Sequence, residues 1–190
     1  MATSHPVDKR TRIKRRLITL VIYLVLVLSL AWFIESQATT TIIFVRHAEK
    51  LPDASDPGLS AAGKIRAQEL SRLMQEVDVD RGVDVVYASQ YKRTEETVLP
   101  LAMTLGLEIQ RYDAADTVSV LNEILHKHKG KISLVAAHSN TIKPLIEELG
   151  GSKHLPDIDE AEYDNIYVVV IPWFGKVKTL RHSYGAPFNP

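Results

Sequence analysis

From Thr39 onward, apolar segments typical of strands alternate with segments typical of amphipathic helices. Each strand segment is short, rich in β-branched residues and bounded by polar or turn-forming residues. The four predicted strands are Thr41–Val45, Val83–Tyr87, Leu107–Tyr112 and Ile132–Ala137. Two later segments, Ile166–Ile171 and Lys176–Arg181, predict a hairpin that turns around Phe174 and Gly175. The pattern therefore predicts strand–helix units followed by an antiparallel hairpin.

The segments between the strands carry helix start and stop signals. Ser60 can cap one helix that runs to about Val77, and Gly106 ends another that runs from Tyr91 to Leu105. A third helix starts at Asp116 or Thr117, and a fourth covers Thr141–Leu149. The spacing predicts two buried helix faces, Leu70/Leu73/Met74/Val77 and Val118/Leu121/Leu125.

This order of elements predicts an α/β fold for residues 39–190. The central strands are apolar throughout, which is typical of a sheet that is covered by helices on both faces. We expect a mostly parallel sheet sandwiched by helices, with an antiparallel edge made by the final hairpin.

Residues 1–38 form a separate segment. A block of lysines and arginines between Lys9 and Arg16 precedes Leu17–Ile34, which contains no charged residue. About 18 apolar residues are enough for a helix that spans a bilayer. The segment is therefore either a membrane anchor or a signal peptide cleaved near Ala38, with the anchor preferred. In both cases the basic block predicts export of residues 39–190, for example to a periplasm, and contact with the membrane if the segment is uncleaved.

Charge and cysteine content narrow the functional classes. Lysines plus arginines and aspartates plus glutamates both number 23, so the formal net charge is zero. This balance argues against a nucleic-acid partner, which usually requires an excess of positive charge. The chain contains no cysteine, which excludes disulfides, cysteine nucleophiles and thiolate metal sites.

Chemically useful side chains follow the predicted parallel strands, where α/β folds place their sites. They include two arginines, two histidines and a carboxylate, and two helices also begin there. These residues are Arg46 and His47, Ser89 and Arg93, Asp113, and His138 with Ser139 and Asn140. Fixed cations and helix N-termini bind phosphate, and an imidazole can attack phosphorus. The constellation therefore predicts a phosphoryl site.

Four segments resemble the histidine phosphatase superfamily, which has the phosphoglycerate-mutase-like fold. They are FVRHAEK, LSAAGKIRAQEL, YASQYKRTEET and LVAAHSNTI, and they span roughly residues 40–149. The chain departs from the family pattern at three positions. Ala48 replaces the glycine after Arg-His, Arg66 replaces a glutamine in the first helix, and Ala137 precedes His138 where glycine is frequent. The resemblance is to the compact branch of the family, without a large cap.

The resemblance implies a mechanism for these residues. His47 would attack phosphorus and form a phosphohistidine, while Arg46, Arg93 and His138 hold the phosphoryl oxygens. No metal and no cofactor would be required. Asp113 takes the place of the family's general acid, with Asp116 and Glu49 as alternatives. Both aspartates can equally be turn or capping residues, and Glu49 can instead orient an arginine.

Further residues around this site are predicted to contact the substrate. We expect Glu49, Ser89, Ser139 and Asn140 to serve this role. The acidic stretch 157–164 is either a solvated loop or one wall of the pocket, and Tyr163 and Asn165 within or beside it could face the substrate.

Three function classes are compatible with these observations. The favoured one is a phosphomonoester hydrolase that acts on a phosphorylated small molecule, such as an envelope sugar phosphate, or on a phosphoprotein. The alternatives are a phosphoglycerate-mutase-like phosphotransferase and a non-catalytic protein that binds phosphate or a partner. The short core, with no long insertion that could form a cap, favours hydrolysis over mutase chemistry.

Overall fold

The structure is a computed structural model that describes residues 9–36, 39–52, 55–78 and 82–188. The chain divides into two compact units, Met1–Ala38 and Thr39–Pro190. The first unit contains one helix, α1 (Lys9–Ser36), which by length and composition alone could cross a membrane. A signal sequence near an N-terminus has the same properties, so α1 fits both of the predicted roles.

The second unit is built around one six-stranded sheet. Its elements, in chain order, are β1 (Thr39–Arg46), α2 (Ala61–Gln75), β2 (Val85–Ser89), α3 (Lys92–Leu105), β3 (Ile109–Tyr112), α4 (Thr117–Lys127), β4 (Ile132–Ala137), α5 (Ser139–Glu148), β5 (Asn165–Pro172) and β6 (Lys178–Ser183). The strand order is β3-β2-β4-β1-β5-β6. The first four strands in this order are parallel to one another. Strand β5 pairs antiparallel with β1 on one side and with β6 on the other. The predicted fold class is confirmed.

Alternating side chains of the buried strands divide the core into two layers. In β1, Ile42 and Phe44 pack into a cluster with α4 and α5, whereas Ile43 and Val45 pack into a cluster with α2 and α3. Successive side chains of a strand point to opposite faces, so a strand covered on both sides must be apolar at every position. This explains the uninterrupted apolar run Ile42–Val45 within β1.

Two predicted helix faces are partly wrong. Leu70 and Met74 are buried in α2, but Leu73 and Val77 are each 40% exposed. The buried stripe of α2 begins at Gly63 and Arg66, which turns Leu73 to the flank, and Val77 lies beyond the helix end. In α4 the exposed residue is Val118; its place in the core is taken by the apolar residues Val120, Leu121 and Ile124.

The register of the parallel strands brings their carboxyl ends together. Arg46 is paired with Ala137, and Ala88 is paired with Ala136. The backbone N–H of His47 donates to the carbonyl of Ala137 at 3.0 Å, which continues the ladder by one residue. The segments that follow β1, β2 and β4 therefore start at the same edge of the sheet.

Helix α2 approaches this edge so closely that only glycine fits at position 63. A Cβ atom on Gly63 would collide with the carbonyl oxygen of Glu49 and lie 3.1 Å from its backbone nitrogen. The same helix starts at Ser60, whose hydroxyl accepts from the Gly63 N–H at 3.1 Å. Gly63 thus sets the distance between α2 and the segment after His47.

We predict that Gly63→Ala lowers the free energy of unfolding by about 1–3 kcal/mol, because the added methyl group overpacks rigid backbone. In an exposed helix interior the same change raises stability by about 1 kcal/mol, so the sign of the effect is diagnostic. The measurement is chemical unfolding of the full chain in detergent, with the exposed neighbour Lys64→Ala as the control. An unchanged or raised stability would contradict the close approach.

Candidate active site

His47 lies directly after β1 and its side chain is almost completely buried. Its Nδ1 is 2.8 Å from the carbonyl oxygen of Ala48. Because a carbonyl only accepts, Nδ1 carries the proton and Nε2 keeps its lone pair. The backbone of Ala48 is itself fixed, since its N–H donates to the Thr97 hydroxyl at 2.9 Å. Position and tautomer of the imidazole are therefore both determined by local contacts.

The surroundings of His47 keep its imidazole uncharged. Burial lowers its pKa to about 3, and the positive charges of Arg46 and Arg93 act in the same direction, as does His138. The hydrogen bond to the Ala48 carbonyl opposes this shift without outweighing it. At neutral pH the side chain is consequently a neutral imidazole, the form that can act as a nucleophile.

His138 stands opposite His47, with 5.4 Å between the ring centroids. Its Nδ1 is 3.4 Å from Nη2 of Arg93, and its Nε2 is 2.9 Å from Oγ of Ser89. A guanidinium can only donate, so Nδ1 is the acceptor and the proton is on Nε2. Burial, together with Arg93 and Arg46, lowers the pKa of His138 to about 4.

A short chain of hydroxyl groups holds His138. Its Nε2–H donates to Ser89, and the Ser89 hydroxyl lies 2.9 Å from that of Thr94. The Thr94 hydroxyl donates to the Tyr91 carbonyl at 2.6 Å. Ser89 and Thr94 are fully buried, and Ser89 does not line the cavity described below. The structure therefore places Ser89, a predicted substrate contact, behind His138 as a residue that positions the ring.

The guanidinium of Arg46 is held by the segment before β5. Its Nη1 donates to the carbonyls of Asp159 at 2.6 Å and Glu162 at 3.0 Å. The ring of Tyr163 lies 4.3 Å from the guanidinium carbon. Burial lowers the pKa of Arg46, although Tyr163 and the acidic residues around it oppose the shift. Its Nε is buried and has no hydrogen-bond partner among the described residues.

Arg93 approaches the histidines from the first turn of α3. Its guanidinium carbon lies 4.4 Å from the centroid of the Tyr91 ring, and Nη1 is 3.8 Å from a carboxylate oxygen of Asp56. As with Arg46, the buried Nε has no hydrogen-bond partner in the described parts of the chain. Two arginines therefore present unused donors close to two neutral imidazoles, which is the environment that an oxyanion requires.

The two predicted helix N-termini differ in what lies in front of them. At the start of α3 the Lys92 N–H already donates to both carboxylate oxygens of Asp56, at 3.1 and 3.2 Å. At the start of α5, residues Ser139, Asn140 and Thr141 line the cavity instead. The partial positive charge of α5 therefore points toward this space.

These side chains surround an open cavity of about 410 Å³. Its lining combines cationic, imidazole and aromatic groups with one carboxylate, that of Glu160. The lining residues are Arg46, His47, Lys50, Gln90, Tyr91, Arg93, Ala114, Ala115, His138, Ser139, Asn140, Thr141, Glu160 and Tyr163. The structure thus brings together Arg46, His47, Arg93, His138, Ser139 and Asn140 of the residues predicted from the sequence.

Asp113, the predicted general acid, is not part of this lining. It is exposed, and its Oδ1 accepts from the Gln90 amide at 3.1 Å and from the Ala115 N–H at 2.9 Å. It therefore serves the turn before α4, while Asp116 caps that helix through the Ser119 N–H at 3.1 Å. Both aspartates occupy the turn and capping positions that the sequence left open as alternatives.

Glu49 is also directed away from the cavity lining. Its carboxylate forms a bidentate ion pair with Arg66, with N–O distances of 2.8 to 3.1 Å. Burial opposes protonation of Arg66, but the hydrogen bonds and charge of Glu49 outweigh it and raise the pKa of Arg66. Arg66 also donates to the carbonyls of Tyr184 and Ala186. Glu49 therefore orients an arginine, one of the roles proposed for it from the sequence.

The acidic stretch before β5 forms one wall of the cavity. Glu160 and Tyr163 line it, which fits the second interpretation of that stretch. Asn165 is buried elsewhere and accepts from Arg181 at 2.8 Å. Sequence patterns had not singled out Lys50, Asp56 or Gln90, since no residue type or spacing distinguishes them from surface residues. Among the described residues, no group of three or more histidine or carboxylate side chains is placed to hold a metal ion.

Comparison with known proteins finds a family model that matches part of the chain. The model of the histidine phosphatase superfamily (branch 1) matches residues 42–116. This segment includes His47 and Arg93 and ends before His138. No curated protein sequence matches the chain.

Solved structures match most of the chain at low sequence identity. A mycobacterial glucosyl-3-phosphoglycerate phosphatase is 12% identical, with 78% of this chain and 99% of that chain covered and a TM-score of 0.59. The protein histidine phosphatase SixA, in complex with tungstate, is 18% identical, with 75% and 96% covered and a TM-score of 0.60. Phosphoglycerate mutase from Plasmodium falciparum is 17% identical, with 80% and 97% covered and a TM-score of 0.59. The motifs and the match over residues 42–116 are similar to those of the histidine phosphatase superfamily, and residues 39–190 share the fold of these solved structures.

Proposed function

We propose that this protein is a phosphomonoester hydrolase that works through a phosphohistidine on His47. The observation that carries the proposal is a neutral imidazole, held in place by hydrogen bonds, beside Arg46 and Arg93, whose buried Nε atoms have no hydrogen-bond partner among the described residues. A bound phosphoryl group would supply the missing acceptors and offset both positive charges. The family match and the phosphatases among the structural neighbours support the same reading.

The chemistry follows from the proton positions. The Nε2 lone pair of His47 attacks phosphorus, and the bond between phosphorus and the ester oxygen breaks as the alcohol leaves. Arg46, Arg93 and the N-terminus of α5 stabilise the charge on the equatorial oxygens. Water then attacks phosphorus, and the bond between phosphorus and Nε2 breaks. The proton of the water passes to the group that protonated the alcohol, so phosphate is released and the neutral imidazole is restored. His138 begins neutral, and an arriving phosphate dianion would favour its protonated form, which adds a charge-assisted donor.

The leaving alcohol needs a proton, and the structure suggests a donor other than Asp113. We propose Glu160, because it is the carboxylate among the cavity-lining residues. It lies in the loop whose carbonyls hold Arg46, so donor and phosphate clamp would be positioned by the same segment. Asp113 remains the donor predicted from the resemblance, and the two assignments give different results in the experiment below.

The open cavity favours a substrate that extends beyond the phosphoryl group. The loop between α5 and β5 forms one wall, and the other sides are short turns that follow the strands. An envelope sugar phosphate and a phosphoprotein both fit such a site. Two structural neighbours are named for related activities, one on glucosyl-3-phosphoglycerate and one on protein phosphohistidine. A mutase must retain a bisphosphate between half-reactions, which an open cavity disfavours.

We further propose that the domain acts outside the cytoplasm. The basic residues at the start of α1 would remain inside, and the apolar part of α1 would either anchor the chain or be removed near Ala38. This assignment comes from the sequence and from the length of the helix.

His47→Asn should lower kcat/KM for an aryl phosphate at least about 10³-fold, because no other side chain replaces the nucleophile. Rapid quenching with radiolabelled substrate should trap an acid-labile phosphoryl group on the wild type and none on the variant. The control is His126→Asn, which changes an exposed histidine far from the cavity. Equal labelling of both variants would refute His47 as the nucleophile.

Glu160→Gln should slow hydrolysis of alkyl phosphates much more than that of an aryl phosphate, since an acidic phenol leaves without a proton. Asp113→Asn, made in parallel, should affect the two substrate classes alike and only slightly. The measurement is kcat/KM for a matched alkyl and aryl pair. If the leaving-group dependence appears in Asp113→Asn and not in Glu160→Gln, the donor is Asp113.

Acid should destabilise the fold through both site histidines. Their pKa values are about 3 and about 4 in the native state, against 6.5 when unperturbed. Between these limits the unfolded chain binds protons that the native chain does not, so stability falls as the pH drops from 6.5 toward 4. Each histidine contributes at most about 1.4 kcal/mol per pH unit.

Urea unfolding at pH 7 and pH 5 tests this effect. His138→Asn should lose less stability on acidification than the wild type, whereas the exposed control His126→Asn should lose as much. Identical pH dependence in the wild type and His138→Asn would show that folding leaves the pKa of His138 unchanged, which would contradict the burial of a neutral imidazole.

A further inference from the structure

Two large aromatic side chains project from the turn between β5 and β6. Trp173 is 68% exposed and Phe174 is 90% exposed. The turn is closed by Gly175, whose φ of 115° lies in the region that favours glycine. A single exposed apolar residue is ordinary, but an adjacent tryptophan and phenylalanine at a turn suggest a surface that meets an apolar phase.

The position of this turn in the sheet indicates what that phase is. Pro172, the last residue of β5, is paired with Thr39, the first residue of β1. Only Gln37 and Ala38 separate Thr39 from the end of α1, the helix that could cross a membrane. The aromatic turn therefore lies at the same edge of the sheet as Thr39, the first residue of β1, and His47 follows the opposite end of β1.

Exposed lysines accompany the aromatic pair. Lys176 and Lys178 follow within four residues, and neither forms an ion pair with a described residue. Lys129 and Lys131 are exposed in the loop between α4 and β4, which is joined to the start of β1. In that loop the Gly130 N–H donates to the Thr40 hydroxyl at 2.9 Å. Glu147 and Glu148 end α5 near this surface. The surface around the aromatic pair therefore carries both positive and negative charges.

We propose that, with α1 retained as the membrane anchor of the proposed function, Trp173 and Phe174 insert into the interface of the bilayer that holds this helix. Tryptophan partitions to the head-group level of membranes, where its ring is buried and its indole N–H stays hydrated. Lysines at the same level attract anionic head groups. A bilayer is favoured over a second protein because two side chains are too small an area for a stable protein interface, whereas the membrane is kept adjacent by the chain itself.

The test uses the full chain reconstituted in phosphatidylcholine vesicles. The sequence has two tryptophans, so Trp32→Phe leaves Trp173 as the single fluorescent probe. In vesicles that contain bromolipid, Trp173 should lose intensity, and its emission should be shifted to shorter wavelength relative to a water-exposed indole. Either orientation of the chain is informative, since both leaflets have the same composition.

A matched control places the probe at the other end of the domain. Ile65 is 63% exposed on α2, near the helix start at the catalytic edge. The variant Trp32→Phe/Trp173→Phe/Ile65→Trp should show no bromolipid quenching and full access to aqueous acrylamide. Both probes sit on exposed positions of the same fold, so a difference between them reports location and not unfolding.

Each outcome decides the proposal. Equal behaviour of the two probes would overturn it, because Trp173 would then lie in water. Protection of Trp173 from acrylamide without bromolipid quenching would also overturn it, since another protein surface would be the occupant. Partial replacement of phosphatidylcholine by phosphatidylglycerol should increase the quenching of Trp173, and Lys176→Gln/Lys178→Gln should remove that increase. Unchanged quenching in the anionic vesicles would refute the contribution of the lysines.

Discussion

Burial of an uncharged imidazole between two arginines is the constraint on which the site depends. A histidine in water would be partly protonated near neutral pH, but desolvation and the neighbouring guanidinium groups hold the pKa of His47 at about 3. The buried Nε atoms of Arg46 and Arg93 have no hydrogen-bond partner within the described part of the chain. The site thus concentrates positive charge and hydrogen-bond donors beside two neutral imidazoles, and the sheet with its two apolar layers holds this arrangement, which suits an oxyanion.

The sheet supplies this arrangement through its register. Pairing of Arg46 with Ala137 brings the segments after β1 and β4 to one edge, where His47 and His138 face each other. Residues outside the cavity lining then hold the side chains and backbone that line it. Thr97 holds the backbone after His47, Ser89 holds His138, and the carbonyls before β5 hold Arg46. The loop between α5 and β5 consequently both holds Arg46 and forms a wall of the cavity.

The sequence was sufficient for the fold and for the cations and imidazoles of the site. Apolar strands give a strong signal, and the meeting of parallel strand ends follows from topology, so Arg46, His47, Arg93 and His138 could be placed together in advance. The directions of side chains in turns could not be predicted from the sequence. Asp113 follows its strand as expected, but Gln90 from another turn and a local N–H draw its carboxylate out of the cavity lining.

Contacts between side chains that are far apart in the sequence were equally impossible to predict. Asp56 covers the N-terminus of α3 and Glu49 pairs with Arg66, although nothing in the spacing of these residues indicates either contact. The departure of Arg66 from the family pattern is explained only by that partner. The roles assigned to the cavity residues remain predictions, whereas the architecture that positions them is confirmed.

Strand β1 also acts as a spacer. It runs from Thr39, beside the aromatic turn, to Arg46, beside the nucleophile, and seven steps of about 3.3 Å separate these ends by about 23 Å. If the aromatic turn rests on a bilayer, His47 lies at the end of β1 that is remote from the lipid contact. Under the proposed function, the length of the strand would then separate the cavity from the lipid head groups. Phosphate groups that diffuse freely, or that polymers and proteins carry into the surrounding water, would reach the cavity more readily than those of the lipids.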